Sequence, residues 1–444
     1  MQFGRPPNNA TMKTLMRFVG TLVAMLALVG LVTVGVTRLK AADEAKPSAV
    51  AGVASATVDS HAHGVDGHAH AAGGKDILRE IGLRYLTAYM FCLSICVGAL
   101  FLVFIHHLFD ASWSVPVRRV AEQMSSLLFP WMLVLLVPIL ALQKWIYPWL
   151  SINPAEDHSL EVKRALFNQP TFNLLLPLIV ASWGLIAHTF RKWSVAQDKD
   201  GSAIWTRRAR VLAAVGIFYF AFSLTLGCFY LMKSLQHQFF STMYGVYYFA
   251  GSVWTALITI WVVVLWLKLK GPLSQVVSKR QIQDLGVWFF AFTVFYAYIH
   301  FSQYFLIWNA AIPEETFWYV NREQGGWKWV GFTILFGHFF VPFLVLLNQD
   351  VKMNPAIMVP MCGWAWLMHF VDMTFNIMPT YGPLAQGPQV SFWDPLFWFG
   401  MLAFLGFMFM KNFRSAAPYP LRDPRLKEAV THHEVPGPGA AAHH

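Results

Sequence analysis

"GLRYLTAYMFCLSICVGALFLVFIH", residues 82–106, holds one charged side chain, Arg84, near its start and is otherwise apolar or weakly polar. A run of about 20 such residues, wound as a helix, crosses a hydrocarbon core of roughly 30 Å. Nine further runs of the same kind lie at 17–38, 122–146, 170–190, 209–231, 241–267, 286–309, 328–348, 356–378 and 391–411. The composition agrees: 56% of the 444 residues are hydrophobic, 13% are charged, and the mean hydropathy is +0.47. Soluble domains carry roughly 25% charge. The expectation is an all-α polytopic membrane protein with ten transmembrane helices.

The first run follows Lys13 and Arg17, as a signal peptide would, but it is longer than a usual signal core. The "RLKAADEA" after it offers no small-residue cleavage site, so it reads as a retained helix. Ten spans put both termini on one side. Roughly two thirds of the 33 lysines and arginines fall in the segments of that side, which makes it the cytoplasmic one. The net charge of +10 then reflects basic residues beside anionic lipid headgroups, and no nucleic-acid partner is expected.

Outside the spans, residues 41–76 are rich in Ala, Gly and His without periodicity and read as a disordered exported linker. Its "HAHGVDGHAH" places His61, His63, His68 and His70 close together as weak candidates for holding zinc or copper, a solvated linker being the simpler reading. The tail from Ser415 reads as an extended segment lying along partner surfaces. Cys92 and Cys96 lie one turn apart in the second span, and Cys228 and Cys362 are isolated. Neither a C-x-x-C-H motif nor a cysteine cluster is present, so if the chain serves electron transfer, the redox centres belong mainly to partners.

Polar side chains inside spans carry more information, because an ionisable group in hydrocarbon is costly unless it faces a protein interior. Tyr296, His300, Gln303 and Tyr304 share one face of the seventh span, His338 is central in the eighth, and His369, Asp372 and Asn376 share a face of the ninth. Tyr244, Tyr248, Ser252, Thr255 and Thr259 form a polar stripe on the sixth, a candidate fourth wall. Imidazoles titrate near neutral pH, so His300, Gln303, Tyr304, His338, His369 and Asp372 are candidates for a proton relay or a quinol pocket. Two alternatives stay open: hydrogen bonds that only fix helix packing, and a b-type haem between two of the three histidines. His106, His107 and His188 lie near span ends where the interface solvates them. In "IPEET", Pro313 begins a short exported helix with Glu314 and Glu315 in its first turn, a candidate docking surface or proton exit. Trp308, Trp318, Tyr319 and Trp327 are expected at headgroup level. A solute transporter is disfavoured by the lack of an inverted repeat or of a matched pair of broken helices.

The runs "FSQYFLIWNAAIPEETFWYVNREQGGWKWVGF" from Phe301, "ASWSVPVRRVAEQ" from Ala111 and "GHFFVPFLVLL" from Gly337 resemble the NrfD/PsrC-like integral membrane subunits of bacterial alternative complex III, a quinol:cytochrome c oxidoreductase. The likeness covers residues 80–411 and is greater to the ActF type of subunit than to the ActC type. The resemblance implies two four-helix bundles, spans 2–5 (residues 82–231) and 6–9 (232–379). These are preceded by an N-terminal helix (1–40) and a linker (41–81), and followed by a tenth helix (380–411) and a cytoplasmic tail (412–444). It implies the bacterial cytoplasmic (inner) membrane, no cofactor bound by this chain, and menaquinol or ubiquinol as substrate of the complex. Iron–sulfur clusters and haem c would sit in partner subunits. The implied partners are an ActC-like membrane subunit, an iron–sulfur subunit, multihaem cytochrome c subunits, a terminal oxidase and lipid. The implied role is to anchor redox subunits and conduct protons, with a quinol-binding catalytic subunit and a pure membrane scaffold as alternatives.

Overall fold

In a computed structural model of the chain, residues 66–380 and 387–431 are described. The chain divides into two compact units, residues 1–81 and 82–444. Among the described residues the structure is all-α, with nine helices long and apolar enough to cross a membrane. The run at 17–38 lies outside the described residues, as do His61 and His63.

The first described helix, α1 (Asp66–Leu108), begins inside the stretch expected to be a disordered linker, so residues 68 and 70 belong to a helix. A second traverse, Ser112–Ala141, combines α2 (Val115–Ser125) with α3 (Trp131–Ala141). It starts before the expected 122–146 because every residue of α2 is buried, including Arg118, Arg119, Glu122 and Gln123. Their charges are matched locally: Arg118 Nε donates to Glu122 Oε1 at 2.9 Å, and Arg119 Nη2 donates to Asp198 Oδ2 at 2.9 Å.

Helices α4 (Gln169–Asp200) and α5 (Ala203–Leu231) are joined at Gly201, whose φ of +68° suits a residue without a Cβ. Asn168 caps α4 through the Thr171 N–H, and Ser202 caps α5 through the Ile204 N–H. Then follow α6 (Tyr244–Leu269) and α7 (Lys279–Ala310), the latter opened by a capping box between Ser278 and Gln281. The short α8 (Pro313–Glu323) has Pro313 in its first turn with Glu314 and Glu315, as expected. The next span, Trp327–Leu346, is α9 (Trp327–Thr333), a π-helical segment (Ile334–Phe340) and α10 (Val341–Leu346). It is followed by α11 (Pro355–Ile377), α12 (Trp393–Phe413) and the tail helix α13 (Leu426–Thr431).

Two helices form the centre. The most apolar stretch of α1 is 89% buried and that of α6 is 83% buried, against 28% for α12. Helix α6 packs on α2, α5, α7 and α11. Gly98 of α1 lies against the Ser252 carbonyl of α6 more closely than a Cβ would permit, so the two backbones touch. Arg84, the lone charge of the opening run, is buried and paired with Asp394 in the first turn of α12.

The tail corrects an expectation. Instead of extending away, residues 421–429 return to the ends of α2, α4 and α7. Asp423 Oδ2 accepts from Arg118 Nη2 and from Arg425 Nη2, both at 2.8 Å, and Arg425 Nη1 reaches Asp110 Oδ1 at 2.7 Å. The Leu421 N–H donates to Asp198, and Gln281 Nε2 donates to the Ala429 carbonyl. Burial pushes the Asp423 carboxyl up. The Arg425 bonds and the Arg118 and Arg425 charges outweigh burial and hold it well below the usual carboxylate range.

Candidate functional site

Tyr247 projects from α6 among residues of α7 and α11, and a polar cluster is built around it. Its hydroxyl donates to Asp372 Oδ1 and lies 3.1 Å from the Tyr296 hydroxyl. Asn376 Nδ2 donates to the Tyr247 hydroxyl at 3.0 Å and to Asp372 Oδ1 at 3.2 Å, and the Tyr244 hydroxyl donates to Asn376 Oδ1 at 3.0 Å. Asp372 is wholly buried, and among the described residues the partners of its side chain, Tyr247 and Asn376, are neutral.

The three histidines surround this centre. His338, on the π-helical segment, is 0% exposed and stacks between Trp254 and Tyr296 at centroid distances of 4.0 and 3.9 Å. A π-helical widening rotates the residues after it relative to a regular helix, and such widenings frequently mark functional positions. His369 is also buried, with Nε2 3.0 Å from Ser94 Oγ on α1, and its ring lies 6.2 Å from that of His338. Gly251 of α6 leaves room for it, since a Cβ there would lie 3.0 Å from His369 Cε1. His300 is only partly buried and packs 5.4 Å from Tyr247 and 5.9 Å from Tyr296. Both nitrogens of His338, Nδ1 of His369 and Oδ2 of Asp372 are buried without a hydrogen-bond partner among the described residues. Internal water is the ordinary means of satisfying such groups.

The expected residues therefore separate into two sets. His300, His338, His369 and Asp372 come together. Gln303 and Tyr304 point away from them: Gln303 bridges Ser241 and Tyr319 at 3.2 and 3.1 Å, and the Tyr304 hydroxyl donates to Glu323 at 3.1 Å. Glu314 is exposed and Glu315 partly so, both in the first turn of α8. The polar stripe expected on α6 is mostly not a wall of the site. Tyr248 donates to the Met90 carbonyl, and Ser252, Thr255 and Thr259 donate back to their own helix.

The sequence reading missed Tyr247, Ser94 and Arg322. Tyr247 sits one position off the stripe, beside Tyr248, and no spacing singled it out. Arg322 of α8 is 1% exposed and lies 3.5 Å over the Trp318 ring. It donates to the carbonyls of Phe375, Asn376 and Trp318 and to Gln236, which closes the C-terminal end of α11 with positive charge. Burial pulls its guanidinium down to about 9. Trp318, Tyr319 and Trp327 are buried against neighbouring side chains, whereas Trp308 is exposed. His106 and His107 are likewise buried, the latter stacked on Phe190 at 5.2 Å. His188 is fixed by its Nε2, 2.7 Å from the Phe129 carbonyl. The four cysteines are buried thiols.

By donor type, His338, His369 and Asp372 form a group that could hold a metal ion, with ligand atoms all within 4.8 Å of one another. A tetrahedral zinc with bonds of about 2.0 Å has donor edges of about 3.3 Å, so the widest of these gaps would have to close.

The fold and the span lengths define a multi-pass all-α membrane protein. Comparison with known proteins adds nothing more specific: no family model and no curated protein matches the chain.

Proposed function

We propose that this chain is a membrane subunit of a respiratory quinol:cytochrome c oxidoreductase of the alternative complex III type, and that it anchors redox subunits and conducts protons. On this reading it lies in the bacterial cytoplasmic membrane with both termini cytoplasmic, its second to ninth spans forming two four-helix bundles. The likeness of the Phe301, Ala111 and Gly337 runs to that family supports the complex. The partners would be an ActC-like subunit, an iron–sulfur subunit and multihaem cytochromes c, with menaquinol or ubiquinol as the substrate of the whole.

One observation carries the proton reading: a buried carboxyl group, Asp372, without a counter-ion among the described residues, is bonded to Tyr247 and lies among His338, His369 and His300. In such a cluster Asp372 and the imidazoles exchange protons through the Tyr247 and Tyr296 hydroxyls and internal water. His300, the partly accessible member, is its opening. Asn376 and Tyr244 extend the chain of hydrogen bonds toward the end of α11 that Arg322 closes.

The test uses the assembled complex carrying Asp372→Asn in liposomes, with quinol:cytochrome c turnover and proton movement recorded together. Retained assembly and electron transfer with lost proton movement supports the relay. Unchanged behaviour in both leaves a scaffold. A quinol pocket in this chain is the second reading, favoured by the partial exposure of His300, and it requires His300→Ala to raise the KM for quinol.

A further inference from the structure

A second feature lies at the start of α5, far in sequence from the histidine cluster, and does not depend on the reading above. A pocket of about 580 Å³ opens where α5 begins, lined by Ile204, Thr206, Arg207 and Arg210 of α5, by Asp110, and by Pro424 and Arg425 of the tail. Three guanidinium groups thus face one carboxylate. Asp110 is already engaged on both oxygens, by Arg210 Nη2 at 2.8 Å and by Arg425 Nη1 at 2.7 Å. Arg425 is held as well by Asp423, so it is fixed in place rather than mobile. Arg207 has no ion pair or side-chain hydrogen bond among the described residues and is exposed. The pocket therefore presents positive charge that the chain itself does not neutralise.

What lies below the pocket indicates the kind of anion. On the face of α5 that carries Ile204 and Arg207, the exposed residues continue as Val211, Val215, Phe218 and Phe222, at helical spacing and pointing out of the fold. This ridge belongs to a membrane-crossing helix, Ala203–Leu231. Beside the pocket, Arg208 packs over Trp205 at 5.2 Å, an aromatic at the position where interfacial tryptophans are found. A basic pocket at headgroup level directly above an apolar ridge matches a molecule with a phosphate at one end and long hydrocarbon chains at the other.

We propose that this pocket is a binding site for an anionic glycerophospholipid, its phosphate held by Arg207, Arg210 and Arg425 and its acyl chains laid along Val211, Val215 and Phe218. Because Pro424 and Arg425 belong to the tail, the bound lipid also joins the tail to α5.

Native mass spectrometry of the delipidated full-length chain, titrated with phosphatidylglycerol or with phosphatidylcholine of the same acyl chains, tests this. Wild type should retain phosphatidylglycerol in preference to phosphatidylcholine. Arg207→Gln should lower phosphatidylglycerol retention about fivefold, the usual worth of one basic residue at a membrane surface, and leave phosphatidylcholine unchanged. Lys144→Gln, which removes an exposed charge outside the pocket, should change neither. A thermal melt equal to wild type verifies that Arg207→Gln is folded. Equal retention of the two lipids by wild type, or an Arg207→Gln protein that retains phosphatidylglycerol as wild type does, would overturn the proposal. So would displacement of the lipid by millimolar inorganic phosphate, which would make this a site for the free anion.

Discussion

Asp372 and Asp423 are both buried aspartates, yet their surroundings differ in kind. Asp423 is enclosed by two guanidinium groups, Arg118 and Arg425, within an ion-pair network that ties the tail to the ends of α2 and α4. Asp372 has only hydroxyl and amide partners, with imidazoles close by. A carboxylate between two arginines has its charge fixed and acts as a fastener. One held by neutral donors among titratable rings has no such lock, and its proton can be exchanged. The same side chain therefore serves attachment at one place and, on our proposal, transfer at the other.

The comparison can be broken first at the fastener. Asp423→Asn removes the carboxylate that Arg118 and Arg425 share and leaves them Glu122 and Asp110 as remaining acids, so the cost should approach but not exceed the roughly 3–5 kcal/mol of breaking a buried pair. Limited proteolysis and hydrogen exchange should show the tail released over residues 421–429, while proton movement in liposomes stays near wild type. The pH dependence has a definite sign. The folded-state pKa of Asp423 is depressed, so its contribution is complete above the unfolded value of about 3.9 and is lost only as pH falls through the lower folded value. Protection of the tail amides should accordingly persist through mildly acidic pH; loss of protection near neutrality would contradict the assignment.

A smaller effect on stability is expected at His338. His338→Phe keeps the stack between Trp254 and Tyr296, so unfolding should shift by less than about 1.5 kcal/mol. Proton movement should nevertheless fall severalfold, because both ring nitrogens are gone. Stability and transport falling together in proportion would instead mark His338 as packing alone. The smallest effect belongs to Tyr304→Phe, which removes a hydrogen bond to Glu323 worth about 0.5–1.5 kcal/mol at most and lies off the cluster. Transport should be unchanged; a loss equal to that of the His338 variant would extend the relay toward α8.

Much of this was legible in the sequence, and the exceptions have physical causes. The nine described spans follow the apolar runs because hydrocarbon selects for length and hydropathy. The second traverse was displaced because α2 buries Arg118, Arg119 and Glu122 as mutually neutralising charges, which a hydropathy window counts as exposed polarity. His369, Asp372 and Asn376 were found through helical spacing on a regular helix. Gln303 and Tyr304 share spacing with His300 but lie a turn further on, where α8 supplies their partners. Tyr247 was hidden by its neighbours: the spacing of Tyr244 and Tyr248 favoured a stripe that, Tyr244 apart, bonds to backbone. The widened turn that carries His338 leaves no mark in the apolar pattern. The tail was misjudged because its arginines and aspartates, read alone, look like a solvated segment, and only their matching with Asp110, Arg118 and Asp198 returns it to the fold.

The central claim is that Asp372 exchanges its proton whereas Asp423 does not. Infrared difference spectroscopy of the assembled complex across the physiological pH range tests it most directly. The account predicts a carboxylic-acid band that titrates in wild type, vanishes in Asp372→Asn and persists in Asp423→Asn. A wild-type spectrum with no titrating carboxyl band, or a band insensitive to Asp372→Asn, would contradict it.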